Sequence, residues 1–163
     1  YFSQKGESFV YRCVNRLDRN TSGLTVLAKN MLAAAVLASP SGMKTIRREY
    51  LALVQGKTPM QGRIEAPIAR KGDPAITHYS RLRYDGTKDL SLIRLRLETG
   101  RTHQIRVHMK YAGFPLIGDF LYHPDFTYIK RQALHSAHLS FVHPVTEKPL
   151  QFDAPLPPDM RII

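Results

Sequence analysis

Asp18 is the only acid in the stretch VNRLDRNTSGLTVLAK, from Val14 to Lys29, and it has Arg16 and Arg19 close on either side. In a strongly basic chain, an isolated carboxylate among cations is a candidate for ionic or catalytic work. Its neighbours allow a simpler reading. Asp, Asn, Thr, Ser and Gly all favour turns, because their side chains bond nearby backbone groups or tolerate left-handed geometry. By itself, DRNTSG is a loop and Asp18 a turn residue.

A second concentration of reactive types is LETGRTHQIRVHMKYAGFPLIGD, from Leu97 to Asp119. If it contains a helix, Arg106 and Lys110 lie four residues apart on one face, where like charges cost about 0.2 to 0.5 kcal/mol. An anion nearby removes that cost: an RNA phosphate, or a protein carboxylate such as Asp18. The alternative is two solvated cations on a surface helix. Among the histidines, His103 and His108 are five apart, and His135 and His138 on a strand face opposite sides, so no metal site is expected. The chain has neither a phosphate-binding G-x-x-x-x-G-K-[ST] loop nor a dinucleotide fingerprint, and no cofactor is expected.

The charge narrows the choice of partner. In 163 residues, 24 Lys and Arg stand against 13 Asp and Glu, a formal net charge of +11. A domain this basic is expected to meet a polyanion, most often nucleic acid, because each neutralised phosphate releases counterions. A small acidic substrate or a membrane surface are the lesser alternatives. Hydrophobic residues make up 43% and charged residues 23%, ordinary values for a soluble protein. No apolar run approaches the ~18 residues of a membrane span, so no membrane association is expected. Cys13 is the only cysteine, which excludes an internal disulfide and favours a reducing, cytoplasmic setting.

The length suits a single domain over 1–163. The opening YFSQKGESF lacks an initiator Met and reads as the middle of a loop, so an N-terminal piece, with any upstream RNA-binding domain, is expected to precede it.

Several elements must position these groups. NMLAAAVLAS predicts a short helix with an apolar face, opened by Asn30 and closed by Pro40 and Gly42. TIRREYLALVQG predicts a strand around Tyr50 to Val54 that ends at Gly56, and RIEAPI a short one. Ile76 to Tyr84 and Leu90 to Glu98 flank an Asp-Gly turn signal. In the second arm Ile93, Leu95 and Leu97 alternate with Arg94, Arg96 and Glu98, predicting an antiparallel hairpin with one wet, basic face. A helix follows, with Ile105, His108, Met109 and Ala112 at helical spacing, Thr102 as N-cap and Gly113 as stop. LHSAHLSFVHP and KPLQFDAP predict two further strands. Strands with isolated helices and no regular βαβ alternation predict an α+β fold, a mainly antiparallel mixed sheet with a few flanking helices. Its solvated basic face offers a nucleic-acid platform.

Taken together, three segments in order resemble the RluA-type RNA pseudouridine synthases: Arg16-Leu17-Asp18-Arg19-Asn20-Thr21-Ser22-Gly23-Leu24, then Glu49-Tyr50-Leu51-Ala52-Leu53-Val54 with Gly56, then Gly100-Arg101-Thr102-His103-Gln104-Ile105-Arg106-Val107-His108. The resemblance continues through Pro115-Leu116-Ile117-Gly118-Asp119 with Tyr122, through Leu134-His135 and His143-Pro144, to Pro155-Leu156-Pro157. Asn15 departs from the pattern, since the family usually has His before Arg-Leu-Asp.

The resemblance implies a monomeric, cofactor-free enzyme that isomerises uridine in structured RNA, ribosomal or transfer, after flipping out the base. It implies Asp18 as nucleophile, whether attack is at C1′, at the uracil ring or through a glycal. Arg106 becomes the ion-pair partner of Asp18. Tyr50 becomes the ring that stacks on the uracil and takes part in removing the C5 proton. Arg16 fills the gap left in the RNA, Ile117 is an apolar wall beside the base, and Arg101, His103 and Gln104 contact substrate. The alternative is a non-catalytic RNA-binding module with the same fold.

Overall fold

The computed structural model describes residues 4, 6, 10, 12–68 and 72–163, so most of the opening YFSQKGESF lies outside the described residues. The architecture is α+β, as the element pattern predicts. One seven-stranded sheet is built from β1 (Ser22–Gly23), β2 (Arg47–Gln55), β3 (Gln61–Glu65), β4 (Ile76–Asp85), β5 (Leu90–Leu97), β6 (Leu134–Val142) and β7 (Pro149–Asp153). The strands run in the order β1-β6-β2-β5-β4-β3, with β7 also paired to β6. Every pairing is antiparallel except β1 with β6. β1 meets β6 at His135 and Ser136 and β7 meets it from His138 onward, so the two occupy different ends of one strand.

Alternation along β2 and β5 sorts the core. Tyr50, Ala52 and Val54 face the same way as Ile93 and Leu95, and pack with Ile105 and Met109 of α3 (Gln104–Tyr111). On the other face Leu53 and Leu90 pack with Ile117, Ile129, Ala133 and Met160, and the chain's last residues Ile162 and Ile163 close over them. Leu53, Leu90, Ile93 and Leu95 are each 0% exposed, where truncation to Ala costs about 2 to 5 kcal/mol.

The helices keep some sequence expectations and change others. α1 (Met31–Ala38) begins where expected, with the Asn30 side chain accepting from the Ala33 N–H at 2.8 Å. It has no apolar stripe: only Leu37 is buried, and Met31 and Leu32 are exposed, because a run apolar on every side cannot select a face. Pro40 opens a second helix, α2 (Pro40–Thr45), instead of closing the first. Proline suits the first helical position, and Ser39 both ends α1 and caps α2 by accepting from the Gly42 N–H. β3 lies earlier than RIEAPI suggests, because Gln61 and Gly62 pair with Ser80 and Tyr79.

α3 ends as predicted before Gly113, at φ +85. Its N-cap is His103, with no side-chain cap hydrogen bond, not Thr102. Instead, Gln104 Oε1 accepts from the Arg101 N–H and the Thr99 hydroxyl, closing the turn before the helix. Among the described residues, no helix is long and apolar enough to cross a membrane.

Candidate active site

A cleft of about 770 Å³ opens on the α3 side of the sheet. It is lined by the Asp18 loop, the junction of α2 and β2, the end of β5 and the turn into α3. The turn reading of DRNTSG holds alongside a place in this cleft. The Asp18 carbonyl accepts from the Thr21 N–H at 3.0 Å, and Asn20 takes a left-handed φ of 70°. Gly23, at φ +105, lets β1 lie against β6 where a Cβ would stand 2.2 Å from the Ser136 carbonyl. The loop is therefore a tight turn feeding a strand, and it presents Asp18 to the cleft with its side chain 24% exposed.

Arg106 rises from α3 to meet it. Its Nη1 lies 3.6 Å from Asp18 Oδ2, an ion-pair distance rather than a hydrogen bond. The fork of the same guanidinium is spent elsewhere: Nε and Nη2 donate to the two oxygens of Asp119 at 2.7 and 2.8 Å. One buried cation thus faces two carboxylates.

Burial pushes the Asp119 carboxyl up, but the Arg106 hydrogen bonds and the N–H groups of Leu121 and Tyr122 outweigh it, and its pKa is lowered. Burial likewise works against the Arg106 charge, and the bonds to Asp119 with the charges of Asp119 and Asp18 raise its pKa nonetheless. In the sequence Asp119 carries no evident role. The only local signal is an acid thirteen positions beyond a helical Arg, which does not say that the two meet.

The helical pair Arg106 and Lys110 is separated by more than distance. Arg106 lies over the Tyr122 ring at 5.0 Å and Lys110 at 5.9 Å, so a π face and a carboxylate stand where two like charges would otherwise compete.

Tyr50 projects from β2 into the cleft and is only 5% exposed. Burial raises its pKa, the Arg48 guanidinium lowers it and the Asp18 charge raises it, with a net rise. The motif gives Arg48 no role, although its spacing of two from Tyr50 on a strand puts both on one face.

The remaining site expectations divide. Arg16, Arg101 and His103 line the cleft, and His103 Nδ1 lies 3.1 Å from the Tyr122 hydroxyl. His103 holds a left-handed φ of 55°, a strained conformation for a non-glycine residue and one that concentrates at functional sites. Gln104 also borders the cleft, but its amide nitrogen donates to the Ile76 carbonyl and to Thr77 Oγ1, and its oxygen accepts twice. Its side chain ties β4 to α3 and has no capacity left for a substrate.

Ile117 does not line the cleft: its N–H donates to Leu53 and its side chain packs in the opposite core cluster. The apolar wall is made by Leu17, Leu97, Ile105 and Leu134. Arg94 and Arg96, the basic hairpin face, also point away from Tyr50, to the other side of the sheet. The cations at the cleft are instead Arg16, Lys44, Arg47, Arg48 and Arg101.

Asn15 is buried at the root of the loop. Its Oδ1 accepts from the Val26 N–H at 2.9 Å and its carbonyl from the Thr25 hydroxyl at 2.8 Å, which pins the segment entering the Asp18 turn. The two histidines of this motif have separate partners: Tyr122 for His103, and Thr77 with the Ala66 carbonyl for His108.

A carboxylate beside a buried guanidinium, a buried tyrosine and a cationic rim form a site suited to a polyanionic substrate. Comparison with known proteins points the same way. The chain is 43% identical to an uncharacterized RNA pseudouridine synthase, YjbO, of Bacillus subtilis, over 98% of this chain and 60% of that protein. It is 42% identical to the ribosomal large subunit pseudouridine synthase D of Zymomonas mobilis, over 92% of this chain and 54% of that protein. The chain therefore spans a little over half the length of these curated relatives.

Among solved structures, human RNA pseudouridylate synthase domain containing 1 superposes with a TM-score of 0.74 at 25% identity, covering 90% of this chain and 69% of that one. Human RNA pseudouridylate synthase domain containing 4 shares the fold, with a TM-score of 0.76 at 21% identity, over 92% of this chain and 73% of that one. The family model described as RNA pseudouridylate synthase matches residues 1–111, from before the Asp18 loop through α3, and the chain belongs to that family.

Proposed function

We propose that this chain isomerises uridine to pseudouridine within ribosomal or transfer RNA, with Asp18 as the nucleophile. The observation that carries this reading is the partly exposed Asp18 carboxylate, 3.6 Å from a buried guanidinium and opening on a cleft rimmed by cations. The reaction breaks the N1–C1′ bond, joins C5 to C1′, and exchanges the C5 proton for one on N1, so it needs no oxidant or co-substrate. A carboxylate assists glycosidic cleavage by bonding covalently to an electron-poor carbon or by stabilising positive charge that develops there. Arg106 pairs with Asp18 and holds it in direction, and Asp119 in turn fixes Arg106.

A base within a helix is out of reach of Asp18, so the target nucleotide flips out, at a cost of a few kcal/mol that new contacts offset. Arg16, exposed at the cleft, is placed to occupy the gap, and Lys44, Arg47, Arg48 and Arg101 to hold phosphates. Tyr50 offers its ring to the uracil. As a proton acceptor it must first ionise, which burial disfavours and Arg48 favours. The relative from Zymomonas mobilis, named for the ribosomal large subunit, supports ribosomal RNA as one substrate class.

The test is release of tritium from RNA labelled at uracil C5. The intact chain is expected to release it, and Asp18→Asn to fall to background while keeping its thermal midpoint. Equal release from both would remove Asp18 from the chemistry. Binding of RNA by the intact chain without any release would leave an RNA-binding module.

A further inference from the structure

Beyond the residues that line the cleft, the Asp18 turn is gripped from behind by two consecutive side chains that the cleft chemistry does not use. The Gln132 amide nitrogen donates both to the Arg19 carbonyl and to Thr21 Oγ1, the latter at 3.2 Å. Arg131 Nη1 donates to the Asn20 carbonyl at 3.2 Å. The two carbonyls that follow Asp18 are therefore held by side chains rather than by a strand partner. Between them lies Asn20 in its left-handed conformation, which asparagine tolerates in a turn.

The grip has a stiff base. Ala133, next in the chain, donates to the Ile117 carbonyl at 3.0 Å and accepts from the Leu53 N–H at 3.1 Å, so the segment is fastened to the centre of the sheet. Gly118, at φ +69, allows it to pass: a Cβ there would stand 2.1 Å from the Arg131 carbonyl. Arg131 is itself aimed by a fork-to-fork pair, with Nε and Nη2 donating to Asp159 at 2.8 and 2.9 Å. Asp159 belongs to the C-terminal turn Pro158–Met160, whose Met160 is 0% exposed in the second core cluster. A continuous set of contacts thus runs from the docked C-terminal segment through Asp159 and Arg131 to the turn that carries Asp18.

We infer that Arg131 and Gln132 are positioning residues for Asp18, and that docking of the C-terminal Asp159 turn sets their geometry. The inference rests on the reading of Asp18 as nucleophile. A reacting carboxylate displaced by about 1 Å can lose about a hundredfold in rate without loss of substrate affinity. Gln132 is 0% exposed, and neither Gln132 nor Arg131 lines the cleft.

The experiment uses the full chain with Gln132→Met, which keeps length and removes both donors, Arg131→Lys, which keeps charge and removes the fork, and Asp159→Glu as the conservative exchange. The probe is an unmodified transcript pool of ribosomal and transfer RNA carrying tritium at uracil C5. Three quantities are read: single-turnover release rate, RNA affinity by filter binding, and amide hydrogen exchange in peptides covering the Asp18 turn and α3.

Gln132→Met and Arg131→Lys are expected to slow release about tenfold or more while affinity stays within about twofold. The Thr21 amide, which donates to the Asp18 carbonyl, is expected to exchange faster with α3 unchanged, and Asp159→Glu to retain most of the rate. Undiminished rates in both variants would overturn the inference, as would a loss of rate matched by an equal loss of protection in α3. If the unaltered chain releases no tritium, the proposed activity falls separately, and unchanged protection of the Asp18 turn in Gln132→Met and Arg131→Lys would then overturn the grip itself.

Discussion

Arg106 and Arg94 stand on opposite sides of one sheet, and each lies 3.6 Å from a carboxylate, Asp18 in one case and Glu49 in the other. The Arg94 side chain is 52% exposed and that of Arg106 is 1% exposed. In water, an ion pair at that distance is worth about 0 to 1 kcal/mol, because solvent screens it and two long side chains must be ordered to make it. Away from water the same charges interact several times more strongly, and a charge without a partner is costly. Distance alone would rank the two pairs as equals. Burial makes one a surface detail and the other the centre of a site, with Asp119 as the added partner that lets a guanidinium stay charged there.

The largest break of this comparison is Arg106→Met, which leaves Asp119 buried and Asp18 unsupported. A loss of about 3 to 5 kcal/mol in urea unfolding is expected, together with loss of tritium release. If stability and turnover both survived, the ion-pair account of the cleft would be wrong. Asp119→Asn is the milder break, since Arg106 keeps Asp18 nearby. It is expected to cost less than Arg106→Met and to change the acid limb of stability.

Because the folded pKa of Asp119 lies below the ordinary carboxylate value of about 3.9, its stabilising contribution is present above that pH and is lost as pH falls through the lowered folded value. Urea midpoints from pH 6 down to pH 2 should therefore fall more steeply for the unaltered chain than for Asp119→Asn. Parallel curves would show that Asp119 does not carry the effect. Tyr50→Phe keeps the ring and removes the hydroxyl. Folding should persist and RNA affinity change little, while release slows if the hydroxyl handles the C5 proton; an unchanged rate would confine Tyr50 to stacking. Smallest is Arg94→Met, expected to change stability by no more than about 1 kcal/mol and to leave turnover intact. A cost matching that of Arg106→Met would erase the distinction between the two faces.

The hairpin β4–β5 was legible because its alternation has period two and its turn carries Asp-Gly. The wet face was also legible from Arg94 and Arg96, but not the side of the sheet on which the cleft would lie. Ile117 shows the same limit. The segment PLIGD belongs to the resemblance, yet neighbouring residues of an extended chain point to opposite faces, and Leu116 rather than Ile117 faces the α3 side. Pro40 is a stop or a start depending on whether a serine cap precedes it and room exists for a second helix. Gln104 reads as a substrate donor in a motif, and only the positions of Thr77 and the Ile76 carbonyl reveal that its capacity is consumed.

What the sequence by itself determined are the features with short reach: the N-cap of α1 and the stop of α3, the strand periods, the turn around Asp18, the basic excess, and the motif order that places the chain in its family. These depend on neighbours within a few positions, where residue type sets backbone preference directly. The tertiary structure alone decided which charges meet. Asp119 lies thirteen positions from Arg106, and the Gln132 amide meets a carbonyl more than a hundred positions away at Arg19. Such pairs depend on how the strands register and on where α3 and the loops dock against the sheet, and preferences within a few positions do not set that docking.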